Sequence, residues 1–290
     1  MKTSTITLLT TILSLAICTS LTAQTDPGFK VFSVLENREI TLEELVNANQ
    51  DTQVLFFGEE HNDSIGHAVQ AMLYQRLLEK YQAVTLSLEM FETDCQLVLD
   101  EYRLGLITED KFEKASRPWS NYATDYEPIV KQALEADQYI IAANAPRRYV
   151  NLVSRKGLAA LDELPKAARQ YLPKKDIYTE DRDYEDRFWE IMQVSGHDRS
   201  DPFFHAQCTW DATMAGSIAN RWKKDKETLV FHLNGRFHTD YQQGTMTQLQ
   251  RLKPKLRQKN ISCFPASDFA KPDWDQYKDQ GDFIILTQPK

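Results

Sequence analysis

Two histidines, each three residues after a glycine that closes an apolar run, are the side chains in this sequence best placed for chemistry. Val54-Leu55-Phe56-Phe57 leads into Gly58-Glu59-Glu60-His61, and Leu229-Val230-Phe231-His232-Leu233-Asn234 leads into Gly235-Arg236-Phe237-His238. A short run of Val, Leu and Phe that stops at Gly reads as a buried strand whose backbone turns sharply where a side chain would obstruct it. Each His then lies just past a strand end. Two further apolar runs end in Ser87-Leu88-Glu89-Met90-Phe91 and in Asn144-Ala145-Pro146-Arg147-Arg148.

Imidazoles and carboxylates together make a mixed nitrogen and oxygen donor set. His61, His238, Glu59 and Glu89 are therefore candidate ligands for Zn, Mn, Fe or Co, and a poor match to a soft thiolate metal. An open site of that kind lowers the pKa of bound water and permits hydrolysis with a Glu as general base. A carboxylate in the apolar setting of Glu89 is costly unless it meets a cation, a metal or a hydrogen-bond donor, so Glu89 needs a partner in Arg147, His61 or a bound metal. Any one of these features also has a plain structural reading: Gly commonly ends a strand, His commonly sits in a loop, and Glu89 could merely pair with Arg147. His67, His197 and His205 read as surface or supporting positions and stay outside the ligand set. Gly-x-Ser-x-Gly, a phosphate-binding Gly-rich loop and His-Glu-x-x-His are all absent from the sequence.

Aromatic side chains offer a different use of the same crevice. Trp119, Tyr122 and Tyr126 precede the helix that leads into the third strand. Tyr, His and Met can ligate haem iron, while flat aromatic and aliphatic surfaces hold the macrocycle. Core packing is the ordinary role for any one of them, and Pro128 suits a plain helix start.

These residues need a frame. Strand-like runs recur at residues 54–57, 84–88, 139–143, 229–233, 261–264 and 283–286, separated mainly by helical patterns. That alternation predicts an α/β fold with a mostly parallel central sheet flanked by helices. In such sheets ligands bind in the crevice outside the carboxyl ends of the strands. Ile65, Val69, Met72, Leu73 and Leu77 follow the first strand with helical spacing, behind a polar cap in Asn62-Asp63-Ser64. A long helical pattern runs from Phe204 to Trp222. Two stretches, about 93–125 and about 164–202, interrupt the alternation and read as helical insertions near the strand C-terminal ends.

The chain opens with Lys2, an apolar stretch over residues 6–17 and then Ser20-Leu21-Thr22-Ala23-Gln24, the layout of a secretory signal peptide over residues 1–23. The apolar core is too short for a permanent anchor. Leu15-Ala16-Ile17-Cys18 gives a second reading, a lipoprotein signal ending before Cys18. Both place the mature protein outside the cytoplasm. Cys95, Cys208 and Cys263 show no paired zinc or redox spacing; one disulfide with an odd thiol left over is compatible with their number. A net charge of −8 leaves no electrostatic footprint for nucleic acid. The basic runs at residues 222–224 and 253–255 read as solvated helix ends.

Four motifs in the same order resemble the ChaN family of haem-binding uptake proteins: Leu55-Phe56-Phe57-Gly58-Glu59-Glu60-His61-Asn62, Glu89-Met90-Phe91, Ala142-Ala143-Asn144-Ala145-Pro146-Arg147 and His232-Leu233-Asn234-Gly235-Arg236-Phe237-His238. Residues 24–290 then read as one ChaN-like domain. The family shares paired Gly-x-x-His motifs, a Glu and an Arg with the Tiki, TraB and erythromycin esterase superfamily; Glu59, His61, Glu89, Arg147 and His238 match. The resemblance implies a periplasmic or outer-membrane-associated protein that binds haem, as faced haems in a homodimer with a Tyr on iron, and that works with outer-membrane haem transport components. No motif fixes that Tyr; Tyr122 and Tyr126 are chosen by proximity to the crevice, and Arg147 or Arg148 as partners of a propionate. The wider superfamily implies instead a metal-dependent hydrolase, with His61 and His238 on metal, Glu59 and Glu89 as ligand or base, and Arg147 at an oxyanion. A catalytically inactive binding module on the same scaffold is the third reading. Haem capture for iron acquisition is the preferred one.

Overall fold

In the computed structural model the described residues are 28–174, 177–193 and 202–290. The segment expected to be a signal peptide, residues 1–23 with Cys18, and His197 lie outside them. Eight strands form one sheet: β1 (Phe29–Ser33), β2 (Arg38–Ile40), β3 (Val54–Glu59), β4 (Val84–Glu92), β5 (Ile140–Asn144), β6 (Leu229–Gly235), β7 (Gln258–Pro265) and β8 (Phe283–Thr287). Their spatial order is β2-β1-β8-β7-β3-β6-β4-β5. The strands from β8 to β5 pair in parallel with one another, and β1 pairs antiparallel with both β2 and β8. The predicted α/β class and parallel sheet are thus present. The hairpin was not foreseen, because β1 is a short apolar run broken by Lys30 and β2 is three residues, two of them charged and exposed.

The helices are α1 (Leu42–Asn47), α2 (Ser64–Lys80), α3 (Gln96–Arg103), α4 (Glu109–Ser116), α5 (Glu127–Glu135), α6 (Arg147–Lys156), α7 (Lys166–Arg169), α8 (Arg182–Ile191), α9 (Pro202–Lys224) and α10 (Thr245–Leu252). Strand side chains alternate between two layers, as a period of two requires. Leu55, Phe57, Phe231, Leu233, Leu86 and Leu88 pack with Val69, Leu73 and Leu77 of α2. Val54, Phe56 and Val230 face Ala215 and Ile218 of α9 and Leu249 of α10. Asp63 caps α2 by accepting from the Ile65 amide at 3.1 Å. Of the two stretches that interrupt the alternation, the first holds a 3₁₀ turn, α3 and α4, and the described part of the second holds α7 and α8.

The topology sets the site. The chain leaves β3, skips one position to build β4, adds β5, and returns much later so that β6 fills the gap between β3 and β4. Such a reversal of strand order is where open α/β sheets leave a ligand crevice. Here it brings both glycine–histidine motifs onto adjacent strands, with Gly58 opposite Asn234 and Glu59 opposite Gly235. Cys95, Cys208 and Cys263 are all buried free thiols, so no disulfide forms among them.

Candidate functional site

Each glycine of the paired motifs makes room for the other motif. A Cβ on Gly58 would stand 2.8 Å from the Arg236 Cα, and one on Gly235 would stand 2.8 Å from both Cε1 and Nε2 of His61. Real Cβ atoms do not approach that closely. The glycines are therefore required by contact rather than by backbone dihedral, since Gly235 has φ −57°.

At the end of β3, Glu59 points to the α2 layer with Leu55 and Phe57 and is 2% exposed. Its Oε1 accepts from the Tyr126 hydroxyl at 2.5 Å and lies 2.9 Å from His61 Nδ1; its Oε2 accepts a short hydrogen bond from Gln70 Nε2. Asn121 Nδ2 donates to the His61 carbonyl at 3.1 Å, and His67 Nε2 reaches the same oxygen at 3.1 Å. A π-helical turn at Tyr122–Tyr126, an element often found at functional sites, directs Tyr126 onto Glu59. The His61 side chain is 43% exposed, with Trp119 edge-on against it. Burial opposes its protonation, but Glu59 and Glu89 outweigh that and raise its pKa above the usual imidazole value.

The end of β6 is dry and charged. Glu89 points to the α9 layer with Thr85 and Ser87. Its Oε2 accepts from the Gly235 amide at 2.7 Å, and its Oε1 lies 3.6 Å from His238 Nε2. His238 Nδ1 lies 2.7 Å from Asp211 Oδ1 of α9. Asp211, fully buried, also accepts from Thr245 Oγ1 at 2.8 Å and from the Tyr184 hydroxyl at 2.9 Å. Burial alone would strip the charge from this group of residues. The carboxylates of Glu89 and Asp211 overcome it for His238, whose pKa is raised, and His238 with His61 overcomes it for Glu89, whose pKa is lowered. His238 is thus a buried imidazolium between two carboxylates.

Between the two ends lies a crevice of about 530 Å³. Its wall includes His61, Arg187, Ile191, Arg236, Phe237 and Tyr241. Tyr241 is 44% exposed and has φ 60°, and Gln242 after it also has φ 60°. Positive φ at two consecutive non-glycine residues is strained backbone, which persists where surroundings impose it and gathers at functional sites.

His61, His238, Glu59 and Glu89 are therefore brought to one crevice, but each is committed to a protein partner. Among the described residues no three His, Cys, Asp or Glu side chains gather as ligands of one ion. Arg147 is not with them. Its side chain is 68% exposed, with Nε 3.6 Å from Glu92, and Arg148 pairs with Asp94 at 2.5 Å. Both arginines start α6 beyond the edge strand β5, and β4 shifts register between Leu88 and Glu92, so they meet the acids after Glu89 rather than Glu89 itself. Of the partners expected for Glu89, Arg147 is turned away and His61 acts only through its field, while the direct contacts are His238 and the Gly235 amide.

Neither tyrosine chosen from sequence offers a free hydroxyl to the crevice. Tyr122 is 3% exposed and packs its ring against Phe91 and Phe112, while the Tyr126 hydroxyl is spent on Glu59. Burial pushes both phenols well above the usual tyrosine range, the opposite of what an iron-bound phenolate needs. His67 is a buried supporting residue. Asp211, Gln70 and Tyr184 escaped sequence reasoning. One signal was available: an acid among Cys208, Thr209, Ala212 and Met214 on a helical run demands a partner for the same reason that Glu89 does.

The fold and the paired strand-end motifs define an open α/β protein whose ligand crevice sits at a reversal of strand order. The family described as "Haem-binding uptake, Tiki superfamily, ChaN" matches residues 45–249, and the chain belongs to that family. Among solved structures, one described as cofacial haem binding to ChaN of Campylobacter jejuni is similar over 90% of this chain and 97% of that one, with TM-score 0.68 and 16% identity. An erythromycin esterase mutant in its open conformation is similar over 90% of this chain and 83% of that one, with TM-score 0.50 and 11% identity. A Bacillus cereus protein is similar over 86% and 92%, with TM-score 0.50 and 11% identity. At these identities the likenesses establish the shared fold. No curated protein sequence matches the chain.

Proposed function

We propose that this protein binds haem in the crevice over the ends of β3 and β6, as a component of haem or iron uptake acting outside the cytoplasm. The observation that carries the reading is His61, a half-exposed imidazole with Nδ1 fixed by Glu59, on the wall of a 530 Å³ crevice in a member of a haem-binding family. Haem-ligating and metal-ligating imidazoles typically have the far ring nitrogen held by a carboxylate or carbonyl, which sets tautomer and orientation. Phe237 and Ile191 supply apolar wall, and Ile191 (63%) and Met192 (48%) carry exposed apolar surface onto the rim. That rim suits a flat macrocycle, or a second copy of the chain placed over it in a homodimer. Tyr241 is the oxygen donor on the same wall and replaces Tyr122 and Tyr126 as the tyrosine of interest. When bound, haem supplies an iron centre and a Soret band; no turnover is required of the chain. Export is supported by the apolar N-terminal stretch and its small-residue flank.

A haemin titration followed by Soret absorbance tests the reading. A saturable, shifted band at integral stoichiometry is expected, altered in His61→Ala or Tyr241→Phe and unchanged in Tyr122→Phe. A band no different from adsorption to an unrelated protein would overturn it. One observation favours a second reading, hydrolysis: two carboxylate-backed imidazoles, His61 with Glu59 and His238 with Asp211, border one crevice. Arg147 lies apart from that pair, with its side chain turned to Glu92 at the end of β4.

A further inference from the structure

We infer that Arg187 and Arg236 are the carboxylate-recognising wall of this crevice, and that Glu60 is a resident counter-ion which a ligand carboxylate displaces. The inference rests on the haem reading, because the propionates of haem are the carboxylates in question.

Arg187, near the end of α8, makes no ion pair among the described residues. Its NH1 donates to the Asp240 carbonyl at 3.2 Å and to Gln243 Oε1 at 2.5 Å, both neutral acceptors. Its guanidinium lies over the rings of Phe237 at 5.0 Å and Tyr241 at 4.3 Å. Among the described residues no carboxylate stands within ion-pair distance of it. Burial pushes its pKa down despite the field of Asp240, as expected of a charge that its surroundings do not neutralise. Neutral acceptors fix the orientation of the group, and among the described residues no carboxylate closes an ion pair with it, which is the arrangement a ligand anion can complete.

Arg236 is built differently. NH2 meets Gln280 Oε1 at 2.7 Å and Asp240 Oδ2 at 2.7 Å, Nε donates to Ser262 Oγ at 3.3 Å, and the guanidinium lies 4.0 Å from the Phe264 ring centroid. The remaining donor, NH1, reaches only Glu60, at 3.4 Å, and the Glu60 side chain is 50% exposed. A contact that long to a half-solvated side chain is readily exchanged. Glu60 also lines an adjoining cavity of about 440 Å³, so it stands at the divide between two spaces and can swing out of either. Glu59, by contrast, is held by Tyr126, Gln70 and His61.

Asp240 joins the two arginines. Its carbonyl holds Arg187 and its carboxylate holds Arg236, which sets the spacing of two planar donors on one wall. Planar guanidinium groups recognise carboxylates through paired hydrogen bonds, and such charge-assisted bonds are the strong ones. Arg147 and Arg148, the sequence candidates for this role, already face Glu92 and Asp94.

The test compares haemin with its dimethyl ester, which keeps iron and macrocycle but removes the carboxylate charge. Wild-type protein is expected to bind haemin about ten-fold more tightly than the ester, a difference of about 1.4 kcal/mol. Arg187→Gln and Arg236→Gln should each shrink that ratio several-fold while ester affinity stays put, which also reports an intact crevice. Glu60→Gln should raise haemin affinity about three-fold and leave the ester unchanged; because Glu60 is half exposed, this variant decides the matter if an arginine variant fails to fold. A wild-type ratio near one, or a ratio unmoved in all three variants, overturns the inference and leaves haem binding intact. Failure of the wild type to bind either compound overturns both.

Discussion

The same four-residue pattern, Gly-x-x-His at the end of an apolar strand, produces two unlike corners on adjacent strands. His61 at the end of β3 is half exposed, and its carboxylate partner is surrounded by neutral donors, Tyr126 and Gln70. His238 at the end of β6 is buried between Glu89 and Asp211, with Tyr184 and Thr245 behind them. One imidazole keeps a face for a ligand. The other serves as a fixed internal cation that orders the floor of the crevice through Glu89 and the Gly235 amide. Spacing placed both rings at the crevice; burial and the number of carboxylates around each decided what each can do.

The largest effect expected from breaking this contrast is on stability. His238→Ala strands Glu89 and Asp211 without their cation, and removing one partner of a buried ion pair costs about 3–5 kcal/mol. His61→Ala removes a half-exposed ring and should cost within about 1 kcal/mol, while altering the band in the haemin titration. Urea unfolding of the two variants checks the asymmetry; equal losses would erase the distinction between the corners.

Next in size are the glycines. Gly58→Ala drives a methyl against the backbone at Arg236, and Gly235→Ala drives one against the His61 ring, a movable side chain. Overpacking of this kind costs about 1–3 kcal/mol, and Gly58→Ala should lie at the upper end because backbone yields less than a ring. Gly235→Ala should instead show mainly as a changed haemin spectrum. The reverse order of stabilities would contradict the reciprocal packing of the motifs.

The smallest effect near neutral pH is the titration of the buried corner. The His238 pKa is raised to about 10, so its stabilising contribution is full below the unfolded value near 6.5 and fades as pH rises from there through about 10. The Glu89 pKa is lowered to about 2, so its contribution is full above the unfolded value near 4.5 and fades as pH falls through about 2. The stability difference between wild type and His238→Ala should therefore be widest between about pH 4.5 and 6.5 and narrow on either side. A difference that does not vary with pH would show that His238 is not charged in the fold.

Much of the frame was legible because burial leaves a periodic mark. The runs around Phe56 and Ile141 are apolar on both faces, and those around Leu86 and Phe231 are apolar on the face toward α2, as strands covered by helices must be. Glycine before histidine was legible as a close approach at a strand end. The β1/β2 hairpin was not, since a five-residue run broken by Lys30 and a three-residue strand with two exposed charges are too short to carry such a pattern. Nor were the partners of Glu89. The sequence called for a cation near it, and Arg147 was the nearest cation in the motif pattern, but the return of β6 between β3 and β4 delivered His238 and α9 delivered Asp211.

The sequence by itself determined the elements, the two strand-end glycines and the set of side chains that arrive near the crevice, because these follow from local periodicity and from contact that only glycine permits. It also required that a buried Glu89 be neutralised. Tertiary structure alone decided by what. It turned Glu89 to His238 rather than Arg147, Tyr122 and Tyr126 inward and Tyr241 outward, and left Arg187 without an ion pair among the described residues, because those outcomes depend on strand order and on which distant helices close over each strand end.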